Sequence, residues 1–78
     1  MKKEPGIPAS VVENAIRHGL SATRAWREHL QLTQDEVAKG IGISQGAYAE
    51  LEAKATIRLS SRIKVAKALG IEPSQLDF

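Results

Sequence analysis

What most constrains this chain is its punctuation: residues that stop a helix and residues that start one alternate along it at short intervals. Gly19 is followed by Ser21, Gly42 by Ser44, and Thr33 opens the run Thr33-Gln34-Asp35-Glu36. A glycine takes up the positive φ that ends a helix, and a Ser or Thr hydroxyl accepts from backbone N–H groups left unpaired at the start of the next. Thr33 with Glu36 has the form of a capping box, in which hydroxyl and carboxylate satisfy two such groups together. A chain punctuated in this way is restricted to short helices.

Apolar spacing fills in the elements. Val11, Val12, Ala15 and Ile16 recur at helical intervals after Pro8, which predicts a helix over 9–18 ending at Gly19. Ser21 caps a second helix through Ala22, Ala25, Trp26, His29 and Leu30. The third starts at Thr33, turns Val37, Ala38 and Ile41 inward and stops at Gly40 to Gly42. The fourth runs over 45–53 from Ser44, with Tyr48 and Leu51 inward and Gln45, Gly46, Ala49 and Glu50 elsewhere. Ser60 or Ser61 starts a fifth, whose stripe is Ile63, Ala66 and Leu69 and whose stop is Gly70. Glu72-Pro73 opens a short closing turn. The alternation of a half-buried strand is missing over any useful length. The expected fold is therefore all-α, a bundle of about five short helices. In it, residues 1–7 are a flexible lead-in, 8–20 an accessory N-terminal helix and 21–78 the main domain, with Trp26 and Tyr48 in the core.

Composition removes several functions. At 78 residues and 42% apolar content there is one small core and no room for a cleft between two domains. Eleven Lys and Arg against nine Asp and Glu give a net charge of +2, so any affinity for nucleic acid depends on where the charges sit. The absence of cysteine leaves no disulfide or thiolate site and fits the reducing cytoplasm. No apolar run is long enough for a membrane span, and the opening Met1-Lys2-Lys3-Glu4-Pro5-Gly6 leads into no apolar segment, so no membrane association or secretion is expected. Trp26, Tyr48 and Phe78 are too few aromatics for a base-stacking platform.

Catalytic and cofactor chemistry fares no better. His18 and His29 have no third ligand spaced near them, so no metal is expected. Glu50 and Glu52, two apart on one helix, point in different directions and make no acid–base pair. Gly40-Ile41-Gly42 has no strand before it and Gln45 where a third glycine belongs, which rules out a dinucleotide loop. No nucleophile stands with a base, so neither enzyme activity nor a cofactor is expected.

The informative stretch is Gln34 to Glu52: a capped helix, small Ala38, a turn at Gly42, a second helix opened by Ser44, and Ile43, Tyr48 and Leu51 to anchor it. That is a helix-turn-helix layout with a polar face outward. From about Ala25 to Leu76 the chain resembles the phage-repressor and Cro-like, or xenobiotic-response-element, helix-turn-helix family, whose fold is the lambda-repressor-like bundle. The resemblance rests on Trp26-Arg27, Leu32-Thr33-Gln34, Glu36-Val37-Ala38, Ile41-Gly42-Ile43-Ser44-Gln45, Leu51-Glu52, and Ile63 with Ala66 through Ile71.

The resemblance implies a transcription regulator that binds a double-stranded DNA operator, typically a repressor, including of its own operon. Helix 45–53 would enter the major groove, with Gln45, Gly46, Ala47, Ala49 and Glu50 at or near the bases. A Gln can bond adenine N6 and N7 together, and a Glu can accept from cytosine N4. Gln34 and Ser44, each at the positive end of a helix, would hold phosphates, as would Lys54, Thr56 and Arg58 beyond the fourth helix. Arg27 and Glu52 match positions that form a largely buried ion pair. Two departures stand out: Ala53-Lys54 replaces an Asn-Gly common in the family, which lets the helix run on, and Thr23 replaces an aliphatic residue.

One recognition helix reads only a few base pairs, so a homodimer on paired half-sites is expected, with the fifth helix and 71–78 as its surface. The segment Ile7 to Leu20, running into Arg24 to His29, is similar to a subgroup of antitoxins from toxin–antitoxin pairs. That second resemblance implies the alternative of a toxin protein as main partner, with the first helix in a partner or dimer surface. Both place the protein in the cytoplasm of a bacterium or of a phage-infected cell.

Overall fold

A computed structural model describes residues 6–78. It contains α1 (Ala9–His18), α2 (Ala22–His29), α3 (Gln34–Ile41), α4 (Gln45–Ala53), α5 (Leu59–Leu69) and a closing 3-10 turn at Pro73–Leu76, with no strand among the described residues. The regular structure of the described residues is all helical, in the lambda-repressor-like arrangement that the family resemblance implies.

Local chemistry sets most of the boundaries. Ser21, Thr33 and Ser44 each accept from the backbone N–H three residues on, and the Thr33–Glu36 capping box is complete. Gly42, at φ +88°, ends α3, and the N–H of Ile43 closes back on the carbonyl of Ala38 at 3.0 Å. The same closure follows Gly19, from Leu20 to Ala15, and Gly70, from Ile71 to Ala66. In each case the residue after the glycine is apolar; Leu20 and Ile71 pack against the core, whereas Ile43 does not. α2 ends this way too, but without a glycine. Gln31 takes φ +59° and the N–H of Leu32 bonds the carbonyl of Arg27 at 3.1 Å.

Packing then assembles the helices. α1 lies on α2, and α3 packs on both α4 and α5. α2 also touches α4, α5 and the closing turn. Val11, Trp26, Val37, Tyr48, Val65 and Ala66 are at the centre of the core. Trp26 meets its polar requirement by donating from Nε1 to the carbonyl of Gln75 at 2.7 Å. Gly40 lies inside α3 and does not end it. A Cβ there would stand 3.3 Å from the Cβ of Ala68, so the missing side chain lets α3 approach α5 closely.

Several sequence expectations are corrected. Residues 1–5 of the expected lead-in lie outside the described residues, whereas Gly6 and Ile7 belong to the fold. Gln75 Nε2 donates to the Gly6 carbonyl at 2.8 Å, and Ile7 packs against the core. Leu30 follows α2 as its exposed C-cap residue. Ile16 and Ile43, expected to pack, are exposed, Ile16 at 79%. α5 begins at Leu59 with Arg58 before it, and neither Ser60 nor Ser61 caps it. Its buried face is Val65, Ala66 and Leu69, while Ile63 is 49% exposed because it lies roughly a third of a turn away from that face. α4 stops at Ala53 despite lacking the Asn-Gly, since Lys54 adopts an extended backbone.

Gln31 carries left-handed strain that a glycine would not. Gln31→Gly is expected to raise stability by about 0.5–1 kcal/mol in urea unfolding, and Gly42→Ala to lower it by about 1 kcal/mol. Equal effects of the two changes would show that backbone strain is not what limits these turns.

Candidate nucleic-acid interface

The centre of the site is an ion pair linking two helices. Arg27 of α2 donates from Nε to Glu52 Oε2 at 2.7 Å and from Nη2 to Glu52 Oε1 at 2.9 Å, a parallel two-bond fork. Arg27 is 13% exposed and Glu52 3%. The remaining Arg27 nitrogen, Nη1, donates to the carbonyl of Leu32 at 2.9 Å, so the same guanidinium secures the strained turn after α2. Ser21, while capping α2, donates its hydroxyl to the Glu52 carbonyl at 2.6 Å and ties the start of α2 to the end of α4.

The pair perturbs its neighbours. Burial pushes the Glu52 carboxyl upward, but bonds from Arg27 and Gln34, with the Arg27 charge, outweigh it and hold the group below its ordinary range. The bonds that Arg27 donates to Glu52 likewise raise Arg27. Burial, reinforced by the nearby Glu52 charge, pushes the Tyr48 phenol well above its usual value. The buried Tyr48 hydroxyl makes no aligned hydrogen bond among the described residues.

From Glu52 an ordered line of polar groups runs to the surface. Gln34 Nε2 donates to Glu52 Oε1 at 3.1 Å, and Gln45 Nε2 donates to Gln34 Oε1 at 3.2 Å. An ionised carboxylate only accepts, so Gln34 must turn its NH2 group inward and its oxygen toward Gln45. Gln45 must then meet that oxygen with its own NH2 group. Among the described residues nothing donates to Gln45 Oε1, which is left as an acceptor at the exposed start of α4.

A family model described as Helix-turn-helix matches residues 24–76, more than half of the chain. The chain belongs to the phage-repressor and Cro-like helix-turn-helix family. The protein is accordingly a DNA-binding helix-turn-helix regulator, from a family of DNA-binding regulatory domains. No curated protein and no solved structure matches it. No helix among the described residues is long and apolar enough to cross a membrane.

Around α4 of this regulator, Gly46, Ala47 and Glu50 are exposed and Ala49 is half-buried. Ser44 caps α4 by accepting from the Ala47 N–H at 3.1 Å. On one side of α4 a furrow gathers Ala47, Glu50, Lys54, Thr56 and Arg58, with Ile43 at its edge. On the other side a smaller furrow joins Gln34 and Ala49 to Arg24 and Ser21 of α2. The sequence reading did not single out Arg24 or Ser21 at this site. Arg24 lies one turn before Arg27 on α2, which is the signal that was available.

Because Glu52 titrates below its ordinary value in the folded protein, its stabilising effect is complete above about pH 4.5 and is lost as pH falls through the lowered value. Glu52→Gln is expected to cost about 3 kcal/mol near pH 7, since it leaves Arg27 buried without its counter-charge. The gap between the two proteins in urea unfolding should narrow below pH 4.5. Glu36 is also held low, by its bonds to Thr33, but both proteins share that contribution. A gap constant from pH 7 to pH 3 would refute the assignment.

Proposed function

We propose that this regulator is a transcriptional repressor that reads an operator as a homodimer, with α4 in the major groove. The observation that carries the reading is the line Glu52–Gln34–Gln45, which holds a directed amide at the exposed start of α4. An amide that accepts through Oε1 and donates through Nε2 suits adenine, with its N6 donor and N7 acceptor. Gly46, Ala47 and Ala49 keep the adjoining surface of α4 low, and Glu50 offers an acceptor for cytosine N4. Gln34 at the first turn of α3, Ser44 at α4, and Lys54, Thr56 and Arg58 beyond it are assigned to phosphates.

For the dimer, Leu59 and Ile63 support the C-terminal assignment, being exposed one turn apart on α5. In the proposed domain organisation, α1 is an accessory to the domain formed by 21–78. Cytoplasmic action in a bacterium or phage-infected cell, including repression of its own operon, completes the proposal. One observation favours a second reading, an antitoxin whose main contact is a toxin protein. Ile16 of α1, with Leu20 and Phe78, lines a largely apolar groove that reaches Ala53 at the end of α4, where such a partner has surface to cover.

Titration of the protein against a duplex selected from a random-sequence pool, and against its shuffled counterpart, tests the first reading. Gln45→Ala should lose about 1–3 kcal/mol of discrimination between them. Arg58→Ala should weaken both about equally and reduce the salt slope by about 0.9. Equal, weak binding of the unchanged protein to both duplexes would reject it and favour the protein-partner reading. Separately, Ile63→Asp should shift the protein toward monomer in sedimentation without lowering its melting temperature; an unchanged sedimentation coefficient would exclude α5 from the dimer surface.

A further inference from the structure

We infer that Arg24 is a second-wall phosphate contact, binding the DNA backbone strand opposite the one met by Lys54, Thr56 and Arg58. The inference rests on the reading of α4 as the major-groove helix and extends it. A helix with its side chains is about as wide as the major groove, so a duplex seated on α4 brings one phosphate backbone to each side of it. On one side stand Lys54, Thr56 and Arg58. The other side has Gln34, the small Ala49 and a single cation, Arg24.

Arg24 is built for an outer contact. Its Nε donates to Glu28 Oε2 at 2.8 Å, one turn along α2, and its side chain is about half exposed. Among the described residues its two Nη groups make no hydrogen bond, which leaves the forked end of the guanidinium for an anion. Glu28 does not belong to Arg24 alone, because the same Oε2 lies 4.0 Å from Arg27 Nη2. The charges therefore alternate from Arg24 through Glu28 and Arg27 to Glu52, with the free cationic end at the surface. The Ser21 bond to the Glu52 carbonyl fixes the first turn of α2 against α4, so Arg24 keeps its place beside the reading helix.

The test is a salt series of duplex binding by the full chain, using the pool-selected duplex and its shuffled counterpart, with Arg24→Gln, Arg58→Gln and Arg17→Gln. Arg17, on α1, controls for loss of one positive charge outside either furrow. Arg24→Gln is expected to weaken both duplexes by a similar factor, several-fold at low salt, and to lower the log–log salt slope by about 0.9. Arg17→Gln should leave the slope unchanged, and melting temperatures should confirm that all variants are folded. An unchanged slope in Arg24→Gln beside a reduced one in Arg58→Gln overturns the second-wall contact while leaving the reading of α4 intact. An equal reduction in Arg17→Gln overturns it as a net-charge effect. Absence of salt-dependent duplex binding by the unchanged protein overturns both.

Discussion

The arrangement of this domain depends on keeping one buried carboxylate satisfied. Glu52 lies at the end of α4 with almost no access to water, where an unpaired charge would cost several kcal/mol. Arg27 on α2 supplies the counter-charge through two bonds, and Gln34 on α3 supplies a third. Those bonds are short and directional, so they fix three helices relative to each other in a way that a core rich in alanine and valine does not. Replacing such a pair by apolar residues often leaves stability unchanged or improved, so its main contribution here is geometric. The turn after α2, the first turn of α3 and the exposed face of α4 all take their positions from it.

What was legible in the sequence was chemistry that acts over three or four residues. Ser21, Thr33 and Ser44 meet their own backbone, and Gly42 ends α3 through its own φ, so these boundaries needed no tertiary information. Gln31 performs the glycine's task without a glycine, and nothing local announces it; the Arg27 bond to the Leu32 carbonyl helps hold that turn. α5 was misphased for a different reason. Leu59, Ile63, Val65, Ala66, Ala68 and Leu69 surround the helix with apolar groups, so its inward face is selected by its neighbours, including Gly40 against Ala68.

The candidate site divides in the same way. The helix-turn-helix frame was visible from caps and glycines, and the pairing of Arg27 with Glu52 came from family resemblance. Spacing could not show that Gln34 turns its amide toward Glu52 and its oxygen toward Gln45, because those residues lie on different helices. Arg24 was hidden for the same reason: its place beside Ala49 exists only once α2 is tied to α4.

α4 is held to the rest of the molecule through very few of its residues. Of its nine residues only Tyr48 and Glu52 are buried, and they sit one turn apart on the same side. Positions 45, 46, 47 and 50 take no part in the apolar core. Mutational drift at those four positions is therefore nearly uncoupled from folding. Descendants of this chain can change that exposed surface by single substitutions while inheriting the scaffold unchanged.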